Sequence, residues 1–185
     1  MLESISEMAD RLFPLLRRSI DGPVALFGHS MGATLAFELA RSWEESGSTP
    51  HALFVSARTA PSRHRTGGTV HLRTDEELIE RIRSLDGTDR QVLDDEELLR
   101  LALPVLRADY KAAETYAYRS GPPLNCPVHA FTGDQDPLVN EHEARAWADH
   151  TRAAFTLHTY TGGHFYLVDH RADILDVVRR RLGLS

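Results

Sequence analysis

Three short stretches set a hydroxyl, a carboxylate and an imidazole in order along the chain: Ser30 in "GHSMG", Asp134 and Asp136 in "TGDQDP", and His164 in "GGHF". Together such groups perform nucleophilic acyl transfer. A serine hydroxyl is a weak nucleophile near neutral pH, so an imidazole must take its proton and a carboxylate must fix the imidazole's tautomer. The order serine, acid, histidine is the one used where a parallel sheet carries all three at its strand ends. Asp136 is the stronger of the two acid candidates. Asp134 directly follows Gly133 and is placed to cap the turn, whereas Asp136 lies farther along the loop, before the stiffening Pro137. The other histidines fit less well: His29 adjoins Ser30 and is expected to point elsewhere, and His129 and His158 fall inside strand patterns. His142, His150 and His170 fit solvated helix positions. No His-Glu-x-x-His and no cysteine pair suggests a metal.

A bare G-x-S-x-G is weak by itself, and the flanks of Ser30 decide its meaning. Residues 24–27 read as a short buried strand, and 34–41 as a helix whose Ala33, Ala36 and Ala40 allow close packing. Strand, tight turn and helix therefore meet at Ser30, the geometry of a nucleophile elbow. Gly28 and Gly32 then have a reason, since a side chain at either is expected to collide with the neighbouring strand or helix.

The remaining elements supply a frame. Ser4 and Glu7 form an S-x-x-E capping box, after which Ile5, Met8, Leu12, Leu15 and Leu16 line one helical face, bent at Pro14. "HALFVSA", "VHAFTGDQDP" and "FTLHTY" read as further buried strands, with helical patterns over 141–150 and 173–182. Alternating strands and helices predict an α/β fold, a mostly parallel sheet flanked by helices, in a single domain spanning 1–185. One long insertion, 74–118, reads as helical throughout, with a capping box at Thr74 and Glu77 and with Pro104 in a first helical turn. Its many apolar residues, Leu78, Ile82, Leu103 and Tyr110 among them, serve helix-to-helix packing, and its position between the second and third strands suits a lid over an apolar groove.

Bulk properties exclude several classes. With 185 residues, 42% hydrophobic and 26% charged, the chain is long enough for one sizeable core. A net charge of -6 without a basic run argues against nucleic acid as a partner. Gly67 and Gly68 lack the Lys-Ser or Lys-Thr ending of a phosphate loop. Cys126 is the single cysteine, so no internal disulfide forms, and before Pro127 it fits a small buried hydrophobe. No apolar run approaches the roughly 20 residues needed to span a bilayer, and a cytoplasmic location is expected.

With these motifs in order, the sequence resembles the type II thioesterase family, stand-alone α/β-hydrolases that accompany polyketide synthases and nonribosomal peptide synthetases. "ALFGHSMGATLAFELA" is similar to the family's nucleophile motif, "LPVLRADYKAAETYAY" to its lid segment, and "GDQDPLV" and "GGHFYL" to its acid and histidine motifs. The resemblance implies Ser30 as nucleophile, His164 as general base and Asp136 as its orienter. It implies hydrolysis of acyl or aminoacyl thioesters from the phosphopantetheine arm of an acyl or peptidyl carrier protein. No cofactor is needed, because the substrate carries the phosphopantetheine. It also implies an oxyanion hole built from the backbone N–H of Met31 and a second N–H from an N-terminal loop. This chain begins at the helix that follows that loop in the family, so an N-terminally truncated fold is expected, with turnover lowered on the order of 100 to 1000-fold by one missing donor. The strand at 24–27 would then be an unpaired edge favouring self-association. Two other readings accompany this one: a general carboxylesterase using the same three residues, and a carrier-binding remnant with little activity. Arg63, Arg65 and Arg73, at the start of the insertion, face an acidic carrier surface in the first reading and are otherwise solvated charges.

Overall fold

The computed structural model describes residues 2–63, 67–85 and 95–184. Four strands, β1 (Ala25–His29), β2 (Ala52–Ser56), β3 (Val128–Gly133) and β4 (Phe155–Tyr160), pair in parallel in the order β1-β2-β3-β4. Ala25 lies opposite Ala52, Leu53 opposite Val128, and Val128 opposite Phe155. Because every pair is parallel, all four strands end at one edge, where the loops after them converge.

Six α-helices are described: α1 (Ile5–Ser19), α2 (Met31–Glu45), α3 (Asp75–Arg83), α4 (Glu96–Glu114), α5 (Glu141–Arg145) and α6 (Arg171–Arg181). The residues of β2 and β3 are buried at every position, as in a sheet covered on both faces. Alternation along β2 sends Leu53 and Val55 to one face, with Phe37, Ala40 and Trp147, and Phe54 to the other, with Phe131, Tyr166 and Ile174. The crossover from β2 to β3 carries α3 and α4, whose Leu78, Ile82, Leu99 and Leu103 form a separate cluster. The far end of α4 is anchored differently, with Ala112, and Tyr116 just beyond the helix, packed against Ile5 and Met8 of α1.

Several local expectations need correction. The strand and helix read as 24–27 and 34–41 extend closer to each other, β1 reaching His29 and α2 beginning at Met31, so the tight turn at Ser30 is a single residue. Ser4 does cap α1, accepting from the Glu7 amide, but the Glu7 carboxylate turns outward to Arg11 at 2.8 Å and completes no box. Pro14 sits inside α1 without ending it. Of the expected apolar face of α1, Ile5 and Met8 are buried, while Leu15 is 60% exposed. Of the insertion, α3 and α4 are helical and 115–118, after Glu114, are not, while the part of the expectation on 86–94 lies outside the described residues. Pro104 lies in the interior of α4, because Asp95 starts that helix earlier, its Oδ1 accepting from the Glu97 and Leu98 amides. The box at Thr74 and Glu77 is complete in both directions.

β1 is an edge strand among the described residues, and its Phe27, beside Phe54 and Phe131, is 44% exposed. Also among the described residues, no helix is long and apolar enough to cross a membrane.

Candidate active site

Ser30 is the sole residue between β1 and α2, and its backbone shows what so short a turn costs. Its φ is 52° and ψ is -123°, a conformation few L-residues adopt, costing on the order of 1–3 kcal/mol. Two hydrogen bonds hold it there: the Ser30 amide donates to the Ser56 carbonyl at 2.8 Å, and the Ala33 amide donates back to the Ser30 carbonyl at 3.0 Å. Gly28 makes the turn possible. A Cβ at that position would lie 2.1 Å from the Gly32 carbonyl oxygen and 2.6 Å from the Ala33 Cα, backbone that cannot give way. Gly32 corrects the expectation, since a Cβ there meets nothing within 4 Å. Its value is the open space it leaves, for Gly32 lines the cavity above Ser30.

The acid and the histidine arrive from the next loops along the same edge. His164 Nε2 lies 3.0 Å from Ser30 Oγ, and His164 Nδ1 lies 2.9 Å from Asp136 Oδ2. A carboxylate accepts only, so Nδ1–H donates to Asp136 and leaves the Nε2 lone pair facing the Ser30 hydroxyl. The side chains of His164 and Asp136 are 2% and 0% exposed. Asp136 is itself fixed, its Oδ1 accepting from the Leu138 amide at 2.8 Å. Asp134 has a different task from capping its own turn: Oδ1 accepts from the Gly162 amide at 2.9 Å, tying the loop after β3 to the loop that carries His164. Met31 opens α2, and among the described residues no group accepts from its amide, leaving that N–H beside Ser30 available to a developing negative charge.

A cavity of about 530 Å³ opens over Ser30, floored by Met31 and His164 and roofed by Leu106, Tyr110 and Ala113 of α4. Its wall includes residues that carry no motif signal. Ala57, at the end of β2, has a positive φ of 50°, the second non-glycine residue so placed. Arg58 reaches upward, Nε donating to Thr34 Oγ1 at 3.0 Å and Nη2 to the Ala113 carbonyl at 3.2 Å, so it ties α2 to the roof. Burial lowers its guanidinium pKa. Glu114 accepts from the Val70 and His71 amides and from His71 Nδ1; burial alone would raise its pKa, yet these bonds hold it below the usual carboxylate range. Asp109 also lines the cavity, and burial raises its carboxyl.

His29 does not point away from the site as expected. Its ring centroid is 5.1 Å from that of His164, and Nδ1 lies 2.9 Å from Ser56 Oγ. Burial, then the proximity of His164, pulls its pKa down to about 4. Cys126, His129 and His150 fall outside the cavity lining. Cys126 is fully buried with its thiol pushed up to about 12, chiefly by burial. His129 packs in the sheet against Phe54, and His150 is a buried partner of Ser62 rather than a solvated residue. Arg63 lines the cavity rim and Arg73 follows the 3-10 turn at Val70–Leu72, while Arg65 lies outside the described residues.

A serine at a one-residue strand-to-helix junction, with its acid and histidine reaching it across the C-terminal edge of an all-parallel sheet, makes the chain an α/β-hydrolase. Within that class the assignment is narrower: residues 1–182 match the family model of the thioesterase domain, and the chain belongs to that family. It is 45% identical over 183 residues to thioesterase PikA5 of Streptomyces venezuelae, covering 98% of this chain and 65% of that protein. It is 44% identical over 163 residues to a probable cadicidin biosynthesis thioesterase of Streptomyces griseus, covering 88% of this chain and 44% of the relative. The chain thus spans about two thirds and less than half of the length of these two relatives. Among solved structures, the type II thioesterase BorB from the borrelidin biosynthetic cluster matches with a TM-score of 0.93 and 62% identity, covering 98% of this chain and 74% of that one.

Proposed function

We propose that the protein hydrolyses acyl or aminoacyl thioesters carried on the phosphopantetheine arm of an acyl or peptidyl carrier protein, an editing or release step in polyketide or nonribosomal peptide biosynthesis. The observation that carries this reading is the continuous hydrogen-bonded line from Asp136 through His164 to Ser30 beneath a roofed cavity. His164 Nε2 takes the Ser30 proton as Oγ attacks the thioester carbonyl, and the resulting oxyanion faces the Met31 amide. Collapse breaks the carbon–sulfur bond. The leaving thiol, with a pKa near about 8.5, departs with the proton held by His164, and the acyl group stays on Oγ. Water then attacks the ester, His164 taking its proton and returning it to Oγ as the acid leaves.

The insertion over 74–118, which carries α3 and α4, acts as the lid of this cavity, setting acyl size and excluding water. No cofactor takes part beyond the phosphopantetheine that the substrate brings. The exposed arginines Arg63 and Arg73 supply a docking charge for an acidic carrier. A cytoplasmic site of action accords with the lone buried Cys126. The β1 edge and its exposed Phe27 favour self-association of this 185-residue chain, which sedimentation would show as a concentration-dependent dimer.

The test is thiol release from an acyl-loaded carrier protein by this chain beside Ser30→Ala. Release that disappears with the serine supports the reading, and release that persists in the variant overturns it. Faster turnover of simple oxygen esters than of carrier thioesters would favour a general carboxylesterase. Carrier binding with no turnover in either protein would favour a binding remnant.

A further inference from the structure

His164 sits in a loop, after β4, that has no regular secondary structure of its own until α6 begins at Arg171. Something must fix it, because a displacement of about 1 Å between a catalytic group and its target costs roughly 100-fold in rate. Two pins flank it. On one side the Gly162 amide donates to Asp134 Oδ1 at 2.9 Å. On the other, Tyr166 Oη lies 2.7 Å from Ser56 Oγ, and Ser56 Oγ lies 2.9 Å from His29 Nδ1.

Ser56 is the joint of this second pin. It ends β2, one of the two buried middle strands, and is itself 1% exposed. Its carbonyl accepts from the Ser30 amide at 2.8 Å, while its hydroxyl meets both Tyr166 and His29. One residue therefore grips the nucleophile's backbone, the residue before the nucleophile, and the residue two beyond the base. The chain can carry its protons in either of two directions. With Tyr166 O–H donating to Ser56 Oγ and Ser56 O–H donating to His29 Nδ1, both hydroxyl protons are used and the buried His29 Nε2–H is left without a partner; reversed, it is the Tyr166 proton that has no acceptor among the described residues. In both, His29 is neutral, burial pulling its pKa down to about 4, and its ring lies 5.1 Å from His164 and 5.2 Å from Phe165. A neutral ring at that distance does not oppose the positive charge that His164 acquires when it takes the serine proton.

We infer that Tyr166, Ser56 and His29 form a positioning relay that sets the distance between Ser30 Oγ and His164 Nε2, so that its loss slows the chemical step without weakening substrate binding. The inference rests on the hydrolase reading of Ser30. None of the three residues reacts with substrate; each acts through the two that do.

The experiment uses the full chain, a soluble acyl thioester and a fluorophosphonate that labels activated serines. Wild type and Ser30→Ala come first: without serine-dependent turnover in the wild type, it is the hydrolase reading that fails. Given that turnover, Tyr166→Phe and Ser56→Ala are expected to lower kcat and the rate of phosphonate labelling by about tenfold, with KM within about twofold. Because the two hydroxyls act through one chain, the double variant should lose little more than the worse single one. A kcat within about twofold of wild type in folded Tyr166→Phe and Ser56→Ala would overturn the inference. So would fully additive losses, or a rise in KM that accounts for the whole effect. Tyr166→Phe keeps the buried ring, so it preserves the test if Ser56→Ala fails to fold.

Discussion

The C-terminal edge of the sheet and the helical cover above it are held by different forces. At the edge, Ser30, Asp136 and His164 are fixed by directed hydrogen bonds and by one strained residue. In the cover, α3 and α4 cohere through Leu78, Ile82, Leu99 and Leu103, while Leu72, Leu98, Leu101 and Val105 face solvent. Polar bonds supplement these contacts: Arg58 donates to the Ala113 carbonyl, Glu114 clasps the Val70 and His71 amides, Arg107 holds the His71 and Arg73 carbonyls and Asp75, and Lys111 pairs with Glu3 of the N-terminal segment. Directed bonds fix distances to fractions of an ångström, whereas apolar contacts tolerate sliding and repacking. A site built this way keeps its chemistry rigid and its substrate boundary adjustable.

The largest expected effect breaks the edge alone. Asp136→Asn should leave the fold intact, as a melting curve would show, and lower thioester turnover by about 10⁴-fold, because the amide no longer fixes the His164 tautomer.

Next come the two glycines of the junction, which sharpen the contrast at one spot. Gly28→Ala forces backbone against backbone and should cost about 3 kcal/mol or more in urea unfolding. Gly32→Ala, with open space around it, should leave stability equal or raise it by up to about 1 kcal/mol, while narrowing the cavity entrance beside Ser30.

In the cover, the buried Leu103→Ala should cost about 2–5 kcal/mol, or melt the cover locally before the sheet, which hydrogen exchange would distinguish. The exposed Leu101→Ala should change stability by no more than about 0.5 kcal/mol.

A smaller effect separates the buried histidines from the site. The pKa values of His29 and His129 are pulled down to about 4, chiefly by burial, and those of His150 and His158 are also lowered. The unfolded chain binds these protons more tightly than the native one, so stability is full above about pH 6.5 and falls as the pH drops toward 4. Urea midpoints across that window should decline, and His129→Leu should flatten the decline. The smallest effect is Asp109→Asn, which removes a carboxylate that burial disfavours and should raise the melting temperature slightly at neutral pH.

What the sequence made legible follows the same division. Local rules identified the strand, serine and helix at Ser30, because Gly28 and the small residues after Gly32 leave few conformations open. The loop chemistry of "TGDQDP" separated Asp136 from Asp134, and the structure puts Asp136 on His164 and Asp134 on the Gly162 amide. Element bounds are less legible: Pro104 has the local preference of a helix start, but the Asp95 cap begins the helix earlier and leaves the proline in its interior. Ser56, Ala57, Arg58 and Tyr166 carried no signal at all. Their partners are fixed by topology, Ser56 meeting Tyr166 across 110 positions, and His29 was misread because adjacency to Ser30 says nothing about where a side chain turns.

The central claim is that Ser30 becomes acylated during turnover. Rapid quenching of the chain with an acyl thioester, followed by peptide mass measurement, tests it directly. The account predicts a transient acyl mass on the Ser30 peptide that forms as thiol is released, disappears as acid is produced, and is absent in Ser30→Ala. Thiol release at an undiminished rate with no acyl mass on that peptide, or with Ser30 replaced by Ala, would contradict it.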